Sequence, residues 1–246
     1  MICALMIGRA GSVGFPSKNT KKILGRRLCE YPLIAAQKSK SIDKIFVSTD
    51  CPIIEKTATE YGTSIIRRPK ELCTSSALGE DVFRHGYYEI KKRLKPENSK
   101  IELLVLLMAN APMITSELIE KGIKLLRKDN TFDSAVTTSI YNMWSPLRAR
   151  KLDKEGALKP FVPFESFGDP KNLNCDRDSQ GDVYFADMSV SIVRSKCLEN
   201  LQDGLLPQKW MGQKIAPIKS EAGFDVDYEW QIPAVEYWLK KNGYEK

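Results

Sequence analysis

The chain is poor in the residues that build zinc sites and hydrolytic triads. It has one histidine, His85, and no two of its six cysteines form a C-x-x-C pair. A structural zinc site takes four Cys or His ligands, and a serine hydrolase needs a histidine base beside its serine. With one histidine and no cysteine cluster, we expect no zinc site. Because His85 lies in a stretch with helical periodicity, we interpret it as a structural or solvated residue and expect no serine hydrolase.

Long apolar runs and a basic leader are missing too. No apolar run approaches the ~20 residues that cross a bilayer. The first residues form a strand-like pattern rather than a signal peptide. We therefore expect a cytoplasmic protein with no membrane partner, whose cysteines stay reduced.

The positive charge is spread along the chain rather than clustered. The net charge is +7, and the densest basic groups, at 19–22 and 91–95, contain no aromatic side chains. Nucleic-acid-binding surfaces gather basic residues, often interleaved with aromatic ones, on one face. The charge therefore favours a small anionic substrate over a nucleic acid.

Strand-like and helix-like segments alternate through the first half of the chain. Apolar runs at 2–7, 44–48, 64–66, 102–107 and 134–138 are separated by helical patterns at 32–38, 53–61, 78–94 and 116–127. This alternation predicts a doubly wound, mostly parallel sheet of the α/β class. The 246 residues fit a single domain, from which 141–182, rich in Pro, Asn, Asp and Lys, departs as an inserted excursion. Strand-like segments at 182–193 and 214–218 and a helical segment at 229–241 complete the chain.

A basic, glycine-rich loop follows the first strand. Its glycines allow close backbone approach to a ligand, and two cations lie beside them: Gly8, Gly11, Gly14, Arg9 and Lys18. Converging N–H groups and cations are how α/β proteins hold nucleotide phosphates. The spacing fits neither the P-loop pattern G-x-x-x-x-G-K-[ST] nor the dinucleotide pattern G-x-G-x-x-G. A dehydrogenase stays open as an alternative, because Asp50 follows the second strand, where a ribose-binding acid would lie.

The same loop completes the motif R-x-G-S-x-G-x-P-x-K-N over residues 9–19. In order after it come VSTD at 47–50, RRPKEL at 67–72, SSALGEDVFRHG at 75–86 and FDVDYEW at 224–230. This set, which covers nearly the whole chain, resembles the acylneuraminate cytidylyltransferases, the CMP-sialic acid synthetase type. The resemblance implies a Rossmann-like nucleotidyltransferase fold with a dimerisation lobe near 141–182, and a homodimer whose partner reaches into the neighbouring active site. It also implies transfer of CMP from CTP to an acidic sugar, with release of pyrophosphate.

This chemistry asks the protein for charge neutralisation and positioning. Asp225 and Asp227 project to one side of an extended segment and form a hard-oxygen site suited to Mg²⁺. Solvated loop acids are the alternative for this pair, and the resemblance favours the metal role. Residues expected to be catalytic are Arg9, Lys18, Asp225 and Asp227. Rival acids with weaker placement are Asp178, Asp182 and Asp187.

The remaining site residues rest partly on the loop and partly on the resemblance. From the loop, the nucleotide-binding residues are Gly8, Arg9, Gly11, Ser12, Lys18 and Asn19. The resemblance adds Arg68 with Ser76 and Ala77 around the cytosine, although a surface arginine at a strand end is an equal interpretation of Arg68. It also implies that Arg177 and Gln180 face the acceptor. Asn110 is the one amide of the segment expected to face the sugar.

Departures from the family pattern concern the acceptor more than the nucleotide. Val13 replaces a Lys or Arg, Ile114 replaces an Arg, and MANAP at 108–112 replaces Q-P-T-S-P. With fewer hydrogen-bond donors and a methionine in that loop, we expect a less hydroxylated acceptor than N-acetylneuraminic acid. Two alternatives stay open: a cytidylyltransferase for a phosphorylated or phosphonate acceptor, and an inactive nucleotide-binding homologue.

Overall fold

A seven-stranded sheet organises the chain, whose computed structural model describes residues 1–11, 14–176 and 181–244. Within these residues the strands are β1 Ile2–Gly8, β2 Lys22–Ile23, β3 Arg26–Arg27, β4 Lys44–Thr49, β5 Ser64–Arg67, β6 Leu103–Met108, β7 Ser134–Ile140, β8 Arg150–Leu152, β9 Leu158–Pro160, β10 Tyr184–Arg194 and β11 Ile215–Lys219. The α-helices are α1 Glu30–Lys38, α2 Pro52–Glu60, α3 Gly79–Leu94, α4 Ser116–Lys128, α5 Ser195–Glu199 and α6 Ile232–Lys241. None of the helices among these residues is long and apolar enough to cross a bilayer.

The strand order of the sheet is β11-β7-β10-β6-β1-β4-β5. Strand β10 runs antiparallel to β6 and β7, and the other neighbouring pairs of this sheet are parallel. The predicted doubly wound, mostly parallel sheet is thereby confirmed. The direction of β10 was not predicted, because a strand's orientation depends on the path of the connection that leads into it.

Helices cover both faces of the sheet. Along β1, Ala4 and Met6 belong to the core formed with α1, α2 and α4. Cys3 and Leu5 belong to the core on the other face, formed with α3 and α5. All four side chains are fully buried, which explains why the strand has a continuous apolar pattern rather than an alternating one. A Cβ on Gly86 of α3 would lie 2.6 Å from the Leu5 Cδ2, so that glycine permits close packing.

A third apolar cluster ties the last helix to the region beside the glycine-rich loop. Val235 and Trp238 of α6 are buried in it. Phe15 of the loop, Tyr31 of α1 and Val226 belong to the same cluster. The position of α6 is therefore coupled both to the loop and to the segment around Val226.

The excursion between β7 and β10 is weakly buried. It contains the β8–β9 hairpin and several single-turn 3₁₀ helices. Five of its large apolar side chains are 59% to 69% exposed: Met143, Trp144, Leu152, Leu158 and Phe161. Apolar surface concentrated in this way is typical of an interaction site.

Candidate active site

A cleft of about 460 Å³ opens at the carboxyl ends of β1, β5 and β6. Ligands bind at this edge in doubly wound sheets, because the loops that leave the strands converge there. The cleft brings together predicted site residues that lie far apart in the sequence: Gly8, Arg9, Lys18, Asn19, Arg68, Ala77, Asn110, Asp225 and Asp227.

Two side chains hold the backbone at the start of the glycine-rich loop. Asn19 is buried and donates from Nδ2 to the carbonyl of Arg9 at 3.1 Å. From the end of β4, Asp50 accepts a hydrogen bond from the backbone N–H of Ala10 at 2.9 Å. Asp50 therefore shapes the loop, which is a different task from the ribose contact that the dehydrogenase alternative assigned to it.

The two predicted cations of the loop are both engaged with the protein. The guanidinium of Arg9 donates to the carbonyls of Gly11 at 2.9 Å and Ala10 at 3.3 Å. Lys18 forms an ion pair with Asp227 across the cleft, and the two side chains are 17% and 49% exposed. In this structure a predicted phosphate ligand and a predicted metal ligand therefore neutralise each other.

The Asp-x-Asp segment approaches the end of β6. Because Val226 is fully buried, Asp225 and Asp227 lie on the opposite side of the segment, on the lining of the cleft. The backbone carbonyl of Asn110 accepts from the N–H of Val226 at 2.7 Å. Its Nδ2 donates to the Val226 carbonyl at 3.1 Å and to Asp225 Oδ2 at 3.3 Å. Asn110, which was predicted to face the acceptor sugar, thus holds the segment that carries the predicted metal ligands, Asp225 and Asp227.

The electrostatics of the carboxylate pair favour a bound cation. Burial raises the pKa of Asp225 above its ordinary value, the charge of Asp227 raises it further, and the ammonium of Lys18 lowers it. Two carboxylates completed by substrate phosphate and water are a common protein contribution to a Mg²⁺ site. This donor set fits Mg²⁺, although no group of three or more His, Cys, Asp or Glu side chains suited to a metal occurs in the described parts of the chain.

Arg68 lines the cleft and also joins three strand ends. Its Nη2 donates to the carbonyls of Ser48 at 2.7 Å and Gly8 at 3.4 Å, and its Nε lies 3.4 Å from the Ser48 Oγ. Burial lowers the pKa of Arg68. The side chain is therefore a half-buried brace between β1, β4 and β5 rather than a solvated surface arginine.

Two predicted nucleotide-binding residues lie away from the lining that the described residues form. Gly11 is exposed and has a positive φ of +68°. The Ser76 hydroxyl lies 3.1 Å from the Thr74 hydroxyl, while Thr74 and Ala77 line the cleft. The turn thus reaches the cleft through the predicted Ala77 and through Thr74, which was not predicted, rather than through Ser76.

The rival acids do not contribute to the cleft where the structure describes them. Asp182 accepts from the Asn142 amide at 3.3 Å. Asp187 is buried and accepts from the Ser139 hydroxyl at 2.6 Å. Neither lines the cleft. Five residues named from the sequence lie outside the described residues: Ser12, Val13, Arg177, Asp178 and Gln180.

Two residues next to the carboxylate pair, Tyr228 and Gln231, were not predicted from the sequence. Tyr228 lines the cleft directly after Asp227. Gln231 accepts with Oε1 from the backbone N–H groups of Asp227 at 2.7 Å and Tyr228 at 2.8 Å. A Gln near the start of a helical pattern is a known capping signal and could have drawn attention to Gln231. The pattern does not say which N–H groups the side chain reaches.

Comparison with known sequences places most of the chain in one described family. Residues 3–232 match the family model described as cytidylyltransferase. N-acylneuraminate cytidylyltransferase of Oncorhynchus mykiss is 28% identical over 244 residues, which cover 99% of this chain and 51% of that protein. CMP-N,N'-diacetyllegionaminic acid synthase of Legionella pneumophila is 27% identical over 186 residues, covering 75% and 77%. The chain spans about half the length of the first of these relatives.

Comparison with solved structures concerns the fold. The structure of CMP:2-keto-3-deoxy-manno-octonic acid synthetase complexed with CTP aligns with a TM-score of 0.68 and 14% identity, covering 98% of this chain and 99% of that one. At this identity the likeness shows a shared fold. It confirms the nucleotidyltransferase fold that the sequence resemblance implied.

Proposed function

Because this chain belongs to the cytidylyltransferase family, we propose that it transfers CMP from CTP to an acidic sugar, sialic acid or a related nonulosonic acid, and releases pyrophosphate. One observation carries the proposal. A single cleft joins the cations of the glycine-rich loop to the carboxylates of Asp225 and Asp227, with Lys18 and Asp227 already in contact. A triphosphate and a divalent cation both find partners there.

The residues of the chain act by positioning and by neutralising charge. Arg9 and Lys18 pair with the β- and γ-phosphates, and the N–H groups of the loop donate to their oxygens. Asp225 and Asp227 would hold Mg²⁺, which would supply positive charge to polarise and neutralise the α-phosphate. The sugar hydroxyl forms a bond to the α-phosphorus as the bond to pyrophosphate breaks, and the hydroxyl proton is released.

The acceptor we propose is a deoxygenated, N-acylated relative of sialic acid. Of the segment 108–112, Met108 and Asn110 line the cleft, whereas Ala109 and Ala111 are buried. The Asn110 amide already donates to the Asp-x-Asp segment. The wall of the cleft formed by residues 108–112 therefore presents the Met108 thioether to the sugar, and no unused hydrogen-bond donor of Asn110. The Legionella relative is named for N,N'-diacetyllegionaminic acid, a name that carries two N-acetyl groups.

Comparing kcat/KM for N,N'-diacetyllegionaminic acid and N-acetylneuraminic acid tests this choice. Each neutral hydrogen bond that the wall no longer offers is worth ~0.5–1.5 kcal/mol, so we expect the less hydroxylated sugar to be favoured roughly 3–10-fold. A preference for N-acetylneuraminic acid would contradict the proposed acceptor preference, but it would not contradict the proposed cytidylyl transfer.

The activity itself is tested by pyrophosphate release with a panel of acidic sugars. CTP should support far higher turnover than ATP, GTP or UTP, and the product mass should equal the sugar plus CMP. Equal rates with UTP would contradict the cytidylyl assignment. Release with a phosphorylated or phosphonate acceptor alone would identify the other cytidylyltransferase alternative, and CTP binding without release would identify an inactive homologue.

We also propose that the chain forms a homodimer through the excursion between β7 and β10. The exposed apolar side chains of this region, among them Leu152 and Leu158 on the β8–β9 hairpin, support the proposal because contact with a second copy would remove them from water.

A further inference from the structure

The two carboxylates of the cleft lie on a segment without regular secondary structure. Residues 222–227, between β11 and α6, belong to neither a helix nor a strand. A backbone ladder therefore does not set the position of Asp225 relative to Asp227. Because the two charges repel and Asp225 is partly buried, the segment is stable in this shape only if other groups hold it.

One holding group comes from the end of β6. Asn110 pairs with Val226 through both its carbonyl and its side-chain amide, at 2.7 and 3.1 Å. The same Nδ2 lies 3.3 Å from Asp225 Oδ2. The Asn110 side chain thus orients the Asp225 carboxylate and fixes the backbone between the two acids.

The other holding group comes from the start of α6. Gln231 Oε1 accepts from the N–H groups of both Asp227 and Tyr228, at 2.7 and 2.8 Å. The backbone N–H of Gln231 donates to the Tyr228 carbonyl at 3.2 Å, which closes the turn. Since α6 is packed into the third apolar cluster through Val235 and Trp238, Gln231 transmits the position of a rigid element to Asp227.

We infer that Asn110 and Gln231 are positioning residues, which hold Asp225 and Asp227 in the arrangement that a divalent cation requires. The inference rests on the proposed function, because the carboxylate pair is taken as the metal site of cytidylyl transfer. Neither amide needs to touch the cation. Groups that orient metal ligands in this way are commonly worth ~10–100-fold in metal affinity or activity.

Substitution of Gln231 separates the hydrogen-bond acceptor from the bulk of the side chain. Gln231→Met keeps the length and removes the acceptor, whereas Gln231→Glu keeps an oxygen that can accept from both N–H groups. We expect Gln231→Met to weaken Mn²⁺ binding ~10–100-fold, measured by the electron paramagnetic resonance of free Mn²⁺ without nucleotide. Gln231→Glu should bind Mn²⁺ at least as tightly as the parent chain. Parent-like Mn²⁺ affinity in Gln231→Met would overturn the role of Gln231.

Substitution of Asn110 tests the other side of the segment independently, so the inference is decided even if Gln231→Met does not fold. Asn110→Leu retains the backbone bond to Val226 and removes the amide donor. We expect weaker Mn²⁺ binding and a higher Mg²⁺ requirement for pyrophosphate release, with little change in KM for the sugar. A raised KM for the sugar with unchanged Mn²⁺ affinity would assign Asn110 to the acceptor and overturn the inference for it.

The two proposals fail in distinguishable ways. If the parent chain releases no pyrophosphate from CTP with any acidic sugar, the proposed function fails, while the Mn²⁺ comparison still decides the positioning role. If release proceeds normally in Gln231→Met and Asn110→Leu with parent-like Mg²⁺ dependence, only the positioning role fails. A parent chain that binds no Mn²⁺ would also overturn the inference.

Discussion

At Asp225, folding and the proposed catalysis make opposite demands. Burial and the charge of Asp227 raise the pKa of Asp225 in the folded chain, whereas a metal ligand must be ionised. A carboxyl whose folded pKa lies above its unfolded pKa contributes stability below the unfolded value and loses that contribution as pH rises through the folded value. At neutral pH the ionised Asp225 therefore lowers the stability of the protein.

The first prediction is that Asp225→Asn stabilises the protein and inactivates it. Asn at 225 can still accept from Asn110 but carries no buried charge, so Tm at neutral pH should rise. The advantage should shrink as pH falls through the folded pKa of Asp225 towards about 4, the ordinary aspartate value. Turnover should fall ~10²–10³-fold. The measurements are thermal denaturation across this pH range and pyrophosphate release.

A matched control for this prediction is Glu221→Gln, since Glu221 pairs with Lys241 and does not line the cleft. It should leave turnover unchanged. If Asp225→Asn lowered Tm at neutral pH, the ionised carboxylate would be stabilising, contrary to the direction of its pKa shift.

The second prediction concerns the ion pair between Lys18 and Asp227. Lys18→Met should lower kcat/KM for CTP roughly 10–100-fold, because a charge-assisted phosphate contact is worth ~1.5–3 kcal/mol. The same change should tighten Mn²⁺ binding without nucleotide, since Asp227 loses its competing cation. Lys21→Met is the control, as Lys21 pairs with Glu229 at 3.2 Å and lies off the lining of the cleft. Weaker Mn²⁺ binding in Lys18→Met would show that the lysine supports the metal site instead.

At the scale of elements, the site depends on how closely β1 approaches the end of β6. A Cβ on Gly8, the last residue of β1, would lie 2.7 Å from the Ala109 Cβ and 3.0 Å from the Ile54 Cδ1. Those contacts are too short for a substituted residue, so the strand ends would have to separate. Since β1 leads directly into the glycine-rich loop, the loop would move with it.

The third prediction is therefore that Gly8→Ala costs both stability and nucleotide affinity. Overpacking of a close contact typically costs about 1–3 kcal/mol, to be measured by urea unfolding. The Kd for CTP, from calorimetry, should rise as the loop is displaced. Gly14→Ala is the control for stability, because its Cβ would lie 3.8 Å from the nearest atom, the Asp227 carbonyl oxygen. Equal stability of the two variants would mean that the strand ends tolerate the extra methyl group.

At the scale of the whole molecule, the excursion between β7 and β10 bears on assembly. The fourth prediction is that the parent chain has the mass of a dimer in light scattering, and that Leu158→Glu converts it to a monomer. A charge at a side chain that is 68% exposed costs little in the monomer, but its burial in an interface without a partner is costly. We expect the dimer dissociation constant to rise at least ~10-fold.

Leu206→Glu is the matched control for this prediction, since Leu206 is 79% exposed and lies outside the excursion. It should leave the mass unchanged. A monomeric parent chain would contradict the proposed dimer. Dissociation by Leu206→Glu instead of Leu158→Glu would place the dimer interface outside the excursion.

Much of this molecule follows from local patterns in the chain. Short apolar runs between helical patterns were enough to predict the parallel strands, because a strand that is buried on both faces of a sheet is apolar at nearly every position. The glycines after the first strand, together with the nearby cations, predicted an anion site. Alternate residues of an extended segment share a side, which predicted that Asp225 and Asp227 lie together, whereas their metal role was predicted from the family resemblance.

Contacts between distant segments needed the folded chain. Lys18 and Asp227 are 209 positions apart, and nothing in either neighbourhood indicates that they pair. The direction of β10, the bracing of strand ends by Arg68 and the hold of Asn110 and Gln231 on the carboxylates were equally hidden. Periodicity specifies which face of an element is apolar, whereas the strand order and the paths of the connections decide which polar groups meet at the edge of the sheet.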